Sequence, residues 1–172
     1  AAMAMQLLSP SHELLCISRH DNPALAERAS QLKAHLNQWK LDLAQGAHAA
    51  DQLTAWLGQQ DDTAFESATL INNAGVILGV APLHAIKAED LTRSIQVGLE
   101  APLLLTSAFL HATRTWRAKR RVLNISSGLG RRPMASQAAY CAAKAGLDHF
   151  TRCVALEEAS QANGAKVCSL AP

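Results

Sequence analysis

Tyr140 and Lys144 stand at i and i+4 in the run Tyr140-Cys141-Ala142-Ala143-Lys144, a spacing that on a helix brings phenol and ammonium to one face within interaction distance. A cation there favours phenolate over phenol and makes the tyrosine a usable proton donor and acceptor near neutral pH. Taken alone, the pair reads as an ordinary helix-surface contact. Two neighbours narrow the reading. Upstream lies Ser127, in Asn124-Ile125-Ser126-Ser127-Gly128, at the carboxyl end of an expected parallel strand, where open α/β sheets place their ligand sites and where a hydroxyl can orient a carbonyl oxygen. Asn72-Asn73-Ala74-Gly75 ends another expected strand in the same manner, with small residues that let a ligand's ring approach the backbone.

The elements that must position these groups follow from periodicity. Glu13 to Ser18 reads as a strand, and Asn22-Pro23 then supplies an N-cap and a first helical residue. The helix from Pro23 is expected to reach about Leu36, with a brief segment from Gln38 to Leu43 and a second helix from about Ala49 to Gln59. Thr69 to Asn73 is the next strand. A long helical pattern runs from about Ala88 to Trp116, with a kink expected at Pro102, which removes one internal hydrogen bond. Arg121 to Ser126 reads as a strand, Gln137 to about Ala162 as the last helix, and Ala165 to Leu170 as the last strand. Strands alternating with helices, without hairpin signals, imply crossover connections and a parallel sheet covered on both faces. The expected fold is a doubly wound α/β sheet in one domain spanning residues 1–172.

In this order and spacing, Asn72-Asn73-Ala74-Gly75, Ser127 and Tyr140-xxx-Lys144 resemble the short-chain dehydrogenase/reductase family, and the likeness spans essentially the whole chain. The stretches Leu99 to Thr106, Arg121 to Gly128 and Tyr140-Cys141 are most similar to the sepiapterin reductase and benzil reductase branch. The resemblance implies a Rossmann-like dinucleotide-binding domain and hydride transfer between a nicotinamide cofactor and a small ketone or vicinal diketone. Tyr140 would protonate the developing alkoxide, Lys144 would lower the tyrosine's pKa and hold the nicotinamide ribose, and Ser127 would bond the substrate oxygen. Asn73, Ala74 and Gly75 would lie beside the adenosine half, and Asp42 with Leu43 would contact the adenine. Ser18-Arg19 follow the first strand, where the family reads the adenosine ribose. An acidic residue there would repel a 2′-phosphate, whereas Arg19 offers a planar fork suited to one, so the expected cofactor is NADP(H). The alternative for Arg19 is a plain solvated loop residue. The resemblance also implies a homodimer or homotetramer.

Two departures from the family pattern stand out. The asparagine that the family usually places ahead of the serine for a proton relay falls on Gly98. The Gly-rich phosphate turn is absent, since Ala1 to Leu8 already reads as the first helix, and at the other end Ala171-Pro172 stop where the family continues. The expectation is therefore a domain lacking its first strand and its C-terminal elements, an incomplete view of a longer protein. The rival reading is a non-catalytic or truncated Rossmann-like protein that binds a nucleotide or a partner.

Composition excludes other classes. The 172 residues carry 16 Lys plus Arg against 14 Asp plus Glu, a net charge of +2, and are 49 % hydrophobic but only 4 % aromatic. That is enough apolar material for an aliphatic core and too little charge to predict a polyanion partner. Arg114, Arg117, Lys119, Arg120, Arg121, Arg131 and Arg132 run without an intervening acidic residue, which reads as a solvated helix end and turn rather than a nucleic-acid surface, since cations at a helix carboxyl end complement its dipole and a solvated turn before a buried strand explains the rest. The uncharged run Ser67 to Ile86 is broken by Asn72, Asn73, Gly75, Gly79, Pro82 and His84, so no membrane span is read there. No signal peptide is read at the amino end, and the cytoplasm is the expected compartment. The four cysteines show no CxxC spacing and read as small buried hydrophobes of a reducing compartment. The seven histidines lack ligand spacing, and no metal site is expected.

Overall fold

The computed structural model describes residues 2–172. The chain divides into two compact units, Ala1–Leu43 and Ala44–Pro172. Each unit has its own parallel ladder, β1-β2 in the first and β3-β4-β5 in the second.

In the first unit, α1 (Ala2–Leu7) precedes β1 (Glu13–Ser18), α2 (Pro23–Leu32) and β2 (His35–Lys40). Strands β1 and β2 pair in parallel from Glu13 opposite His35 to Ser18 opposite Lys40. The Asn22 cap forms as expected: its side chain accepts the Leu25 amide at 3.1 Å, and Pro23 opens the helix. The helix stops earlier than its period suggests, at Leu32, because Lys33 takes a left-handed conformation (φ 53°) and its amide closes onto Ala29 and Ser30. His35 and Leu36 consequently belong to the strand. Leu8, Leu25 and Ala29 form the core of this unit.

The second unit holds α3 (Gly46–Leu57), β3 (Ser67–Asn72), α4 (Ala88–Ile95), α5 (Ala101–Ala112), β4 (Lys119–Ile125), α6 (Ala138–Ala159) and β5 (Lys166–Leu170). Strand β4 is central, with Asn72 opposite Asn124 on one side and Asn124 opposite Ser169 on the other. Its Val122 and the Leu147 of α6 are almost wholly buried. Helix α5 packs on α3, and α6 packs on β5 and α4. Parallel strands joined by helical crossovers make this a Rossmann-like α/β architecture. The expected kink before α5 is a π turn, Gln96–Glu100, in which the Ala101 amide bonds the Gln96 carbonyl. Pro102 has no N–H to return to the Gly98 carbonyl, and widening the turn absorbs that missing donor. The helical run Ala88–Ala112 is long and apolar enough to cross a membrane by composition, with a mean hydropathy of 1.2. Within this unit the run packs on α3 and α6, with 39 % of its most apolar window buried.

Two expectations from composition need correction. None of the four cysteines is buried: Cys16 and Cys141 are half-buried, and Cys153 and Cys168 exposed. In the basic run, Arg120 is not solvated. It is 6 % exposed, alternating with outward Lys119 and Arg121 on β4, and pairs with Glu158 at 3.6 Å.

Candidate active site

Helix α6 carries the site because its inward stripe is partly polar. Ala143, Lys144, Leu147, Asp148, Thr151 and Val154 are its buried residues, a three-to-four spacing that faces the sheet. Lys144 is 3 % exposed. Its ammonium donates to the Ile125 carbonyl at the end of β4, at 2.7 Å, and stands 5.7 Å from the centre of the Tyr140 ring. The expected face-sharing of Tyr140 and Lys144 is realised, and burial pushes the Lys144 pKa down while the charge of Asp148 pulls it up.

Ser127 follows β4 in extended backbone and caps the short 3-10 turn Gly128–Gly130, its Oγ accepting the Leu129 amide at 3.2 Å. That turn packs on α6. A Cβ at Gly130 would come within 2.9 Å of the Lys144 carbonyl carbon, so only glycine lets the turn seat on the peptide of Lys144. Asn73, Ala74 and Gly75 leave the end of β3. A Cβ on Gly75 would lie 3.6 Å from the Lys144 ammonium, which places this loop at the cation. Gly98 lies in the π turn, where a Cβ would sit 3.1 Å from that of Ala143. The backbone there approaches α6 just before Lys144, and no side chain at residue 98 can join a relay. Tyr140 itself lines a recess with Leu78, Ile86, Leu91, Ser94 and Gln137.

Beneath these groups a buried polar chain ties the elements together. Asn72 donates to Thr106 Oγ1 at 3.0 Å and to Asn124 Oδ1 at 2.8 Å, and Asn124 donates to Thr151 Oγ1 at 2.8 Å. Asn72 thus locks β3 to α5 and β4, which aims the loop that begins at Asn73. The remaining expected contacts lie in the first unit. Ser18 ends β1 with its hydroxyl donating to the His20 carbonyl at 2.7 Å, Arg19 is exposed, and Asp42 and Leu43 follow β2 half-buried. Sequence reading missed Asp148, whose buried carboxylate faces Arg131 at 3.6 Å. Its place one helical turn after Lys144 was the available signal.

The donor set suits a nicotinamide ribose. Lys144 spends one of its three N–H donors on Ile125, and an ammonium retains two for hydroxyls.

Comparison with known proteins identifies the family. The short chain dehydrogenase family profile matches residues 1–172. The benzil reductase ((S)-benzoin forming) of Bacillus cereus is 34 % identical over 171 residues, covering 99 % of this chain and 69 % of the relative. The enzyme of that name from Bacillus subtilis is 31 % identical, covering 99 % and 68 %. Among solved structures, a short-chain dehydrogenase/reductase from Burkholderia vietnamiensis superposes with a TM-score of 0.81 at 35 % identity, over 99 % of this chain and 76 % of that one. A metagenomic short-chain oxidoreductase in complex with NADP gives 0.84 at 29 % identity, over 99 % and 75 %. The chain belongs to the short-chain dehydrogenase/reductase family of NAD(P)-dependent oxidoreductases, in its benzil reductase branch.

Proposed function

We propose that this protein reduces a small ketone or vicinal diketone with NADPH, using Tyr140 as the proton donor. The observation that carries the reading is the buried Lys144 ammonium, 5.7 Å from the Tyr140 ring and fixed by the Ile125 carbonyl. The cofactor supplies the hydride. Tyr140 gives its phenolic proton to the alkoxide oxygen as charge develops there, and Lys144 stabilises the phenolate left behind. Ser127 donates to the same substrate oxygen and orients the carbonyl. Asn73, Ala74 and Gly75 flank the adenosine half, with Asp42 and Leu43 at the adenine. Arg19, together with Ser18, receives the 2′-phosphate. The family match over residues 1–172 supports assigning the whole chain to one dinucleotide-binding domain. Family likeness supports a homodimer or homotetramer paired through the long helices, and four free cysteines suit the cytoplasm.

The test is turnover of an aromatic vicinal diketone with NADPH. Tyr140→Phe should abolish turnover while NADPH affinity stays largely intact, and undiminished turnover would sink the assignment. Arg19→Glu should lower kcat/KM with NADPH by at least about tenfold relative to NADH, as loss of a charged phosphate contact requires. An unchanged ratio would return Arg19 to the solvated loop.

A further inference from the structure

Asp148 is buried on the core-facing stripe of α6 without an evident use. Its side chain is 3 % exposed, and neither carboxylate oxygen has a hydrogen-bond partner among the described residues. A buried charge so poorly satisfied is unfavourable, and an apolar side chain would fill the stripe at less cost. Its charged neighbours are Lys144, one turn back on the same helix, and Arg131, whose Nε lies 3.6 Å from Oδ2 and whose side chain is 65 % exposed.

Arg131 ends the turn that begins at Ser127. The Ser127 hydroxyl accepts the Leu129 amide, the Gly130 amide bonds the Ser127 carbonyl, and the Arg131 amide bonds the Gly128 carbonyl. Residues 127–131 are therefore one hydrogen-bonded piece. In its middle, Gly130 rests on the peptide of Lys144, and at its end Arg131 reaches the next turn of the helix at Asp148.

We propose that Arg131 and Asp148 form a positioning pair for the reaction, a clasp that holds the turn bearing Ser127 in register with the helix bearing Tyr140 and Lys144. The clasp rests on the assignment of those three residues to the chemistry. Without it, the turn can slide along the helix on its glycine seat, and Ser127 leaves the substrate oxygen that Tyr140 protonates. Small misplacements of a positioning group cost much rate and little binding.

The experiment measures diketone reduction with NADPH, and hydrogen exchange of the cofactor-free protein, for Arg131→Gln, Arg131→Lys and Asp148→Asn. Arg131→Gln alters an exposed side chain and should fold. Its kcat should fall by about tenfold with both KM values little changed, and the amides of residues 128–131 should exchange faster. Arg131→Lys should recover most of the rate. Asp148→Asn should lose at least as much rate as Arg131→Gln, since it also removes a charge that supports the Lys144 ammonium, and the double variant should be no slower than Asp148→Asn. If Asp148→Asn fails to fold, the Arg131 variants decide alone. Unchanged kcat in Arg131→Gln overturns the clasp, and so does a raised substrate KM at normal kcat, which would mean that Arg131 touches substrate. Tyr140→Phe measured alongside separates the two ideas. An active Tyr140→Phe removes the underlying chemistry, whereas an inactive one beside a fully active Arg131→Gln removes only the clasp.

Discussion

Lys144 is a cation in a place that disfavours one, and its proton equilibrium should be measurable in the stability of the fold. Burial lowers its pKa below the ordinary 10.5 in the folded chain, with Asp148 opposing the fall. Between the lowered folded value and 10.5, the unfolded chain binds more protons, so stability rises with pH across that window. Below the folded value, the buried charge carries its full desolvation cost. A Lys144→Met variant lacks this titration. Denaturant unfolding across the alkaline range should therefore show the wild type gaining stability relative to Lys144→Met as pH rises towards 10.5, and a constant difference would refute the assignment of that slope to Lys144. The Tyr140 and Lys144 pairing was legible because an i, i+4 spacing is a local property of a helix. Asp148 has the same spacing from Lys144, yet its importance depends on burial and on Arg131, which comes from a separate turn.

Among the elements, α6 and β4 concentrate the polar burial, and the Asn124–Thr151 pair that joins them is hydrogen-bonded at each step. Thr151 Oγ1 accepts from Asn124 at 2.8 Å and donates to the Leu147 carbonyl at 2.6 Å. Thr151→Val keeps the shape and strips the acceptor from a fully buried amide, so unfolding should lose about 1–3 kcal/mol. A loss below about 0.5 kcal/mol would show that Asn124 finds another partner or that the bond contributes little. Most strand and helix positions followed from period and caps, as at Asn22-Pro23. The ends did not: the helix after Pro23 stops at Leu32 because Lys33 turns left-handed, and no glycine marks that stop. Pro102 announced an irregular helix, but its form, a π turn just before the proline with Gly98 close against Ala143, appeared only in the fold.

At the scale of the whole chain, the two compact units differ in how much apolar surface they bury. The first rests on Leu8, Leu25 and Ala29 around a two-stranded ladder. The second buries Ala49, Leu53, Leu57, Val97, Leu105, Phe109, Val122 and Leu147, among others, around a strand paired on both sides. Local opening is easiest where burial is least. Native-state hydrogen exchange should therefore give slower amides in Leu70, Val122 and Leu123 than in Leu14, Cys16 and Ile17, and equal protection in both sets would contradict this division.

What the sequence by itself determined is the local part: alternating strands and helices, the caps, and the family signature in Asn72 to Gly75, Ser127, Tyr140 and Lys144. Those depend on propensity, period and short spacings, which act between near neighbours along the chain. Only the tertiary structure decided which charges are buried. Arg120 looks like any surface charge in the sequence and Asp148 shows only its spacing from Lys144, yet one is clasped by Glu158 and the other faces Arg131. Burial and pairing arise between elements that the sequence keeps apart, and the packing of α6 against β4 and the turn that follows it supplies both.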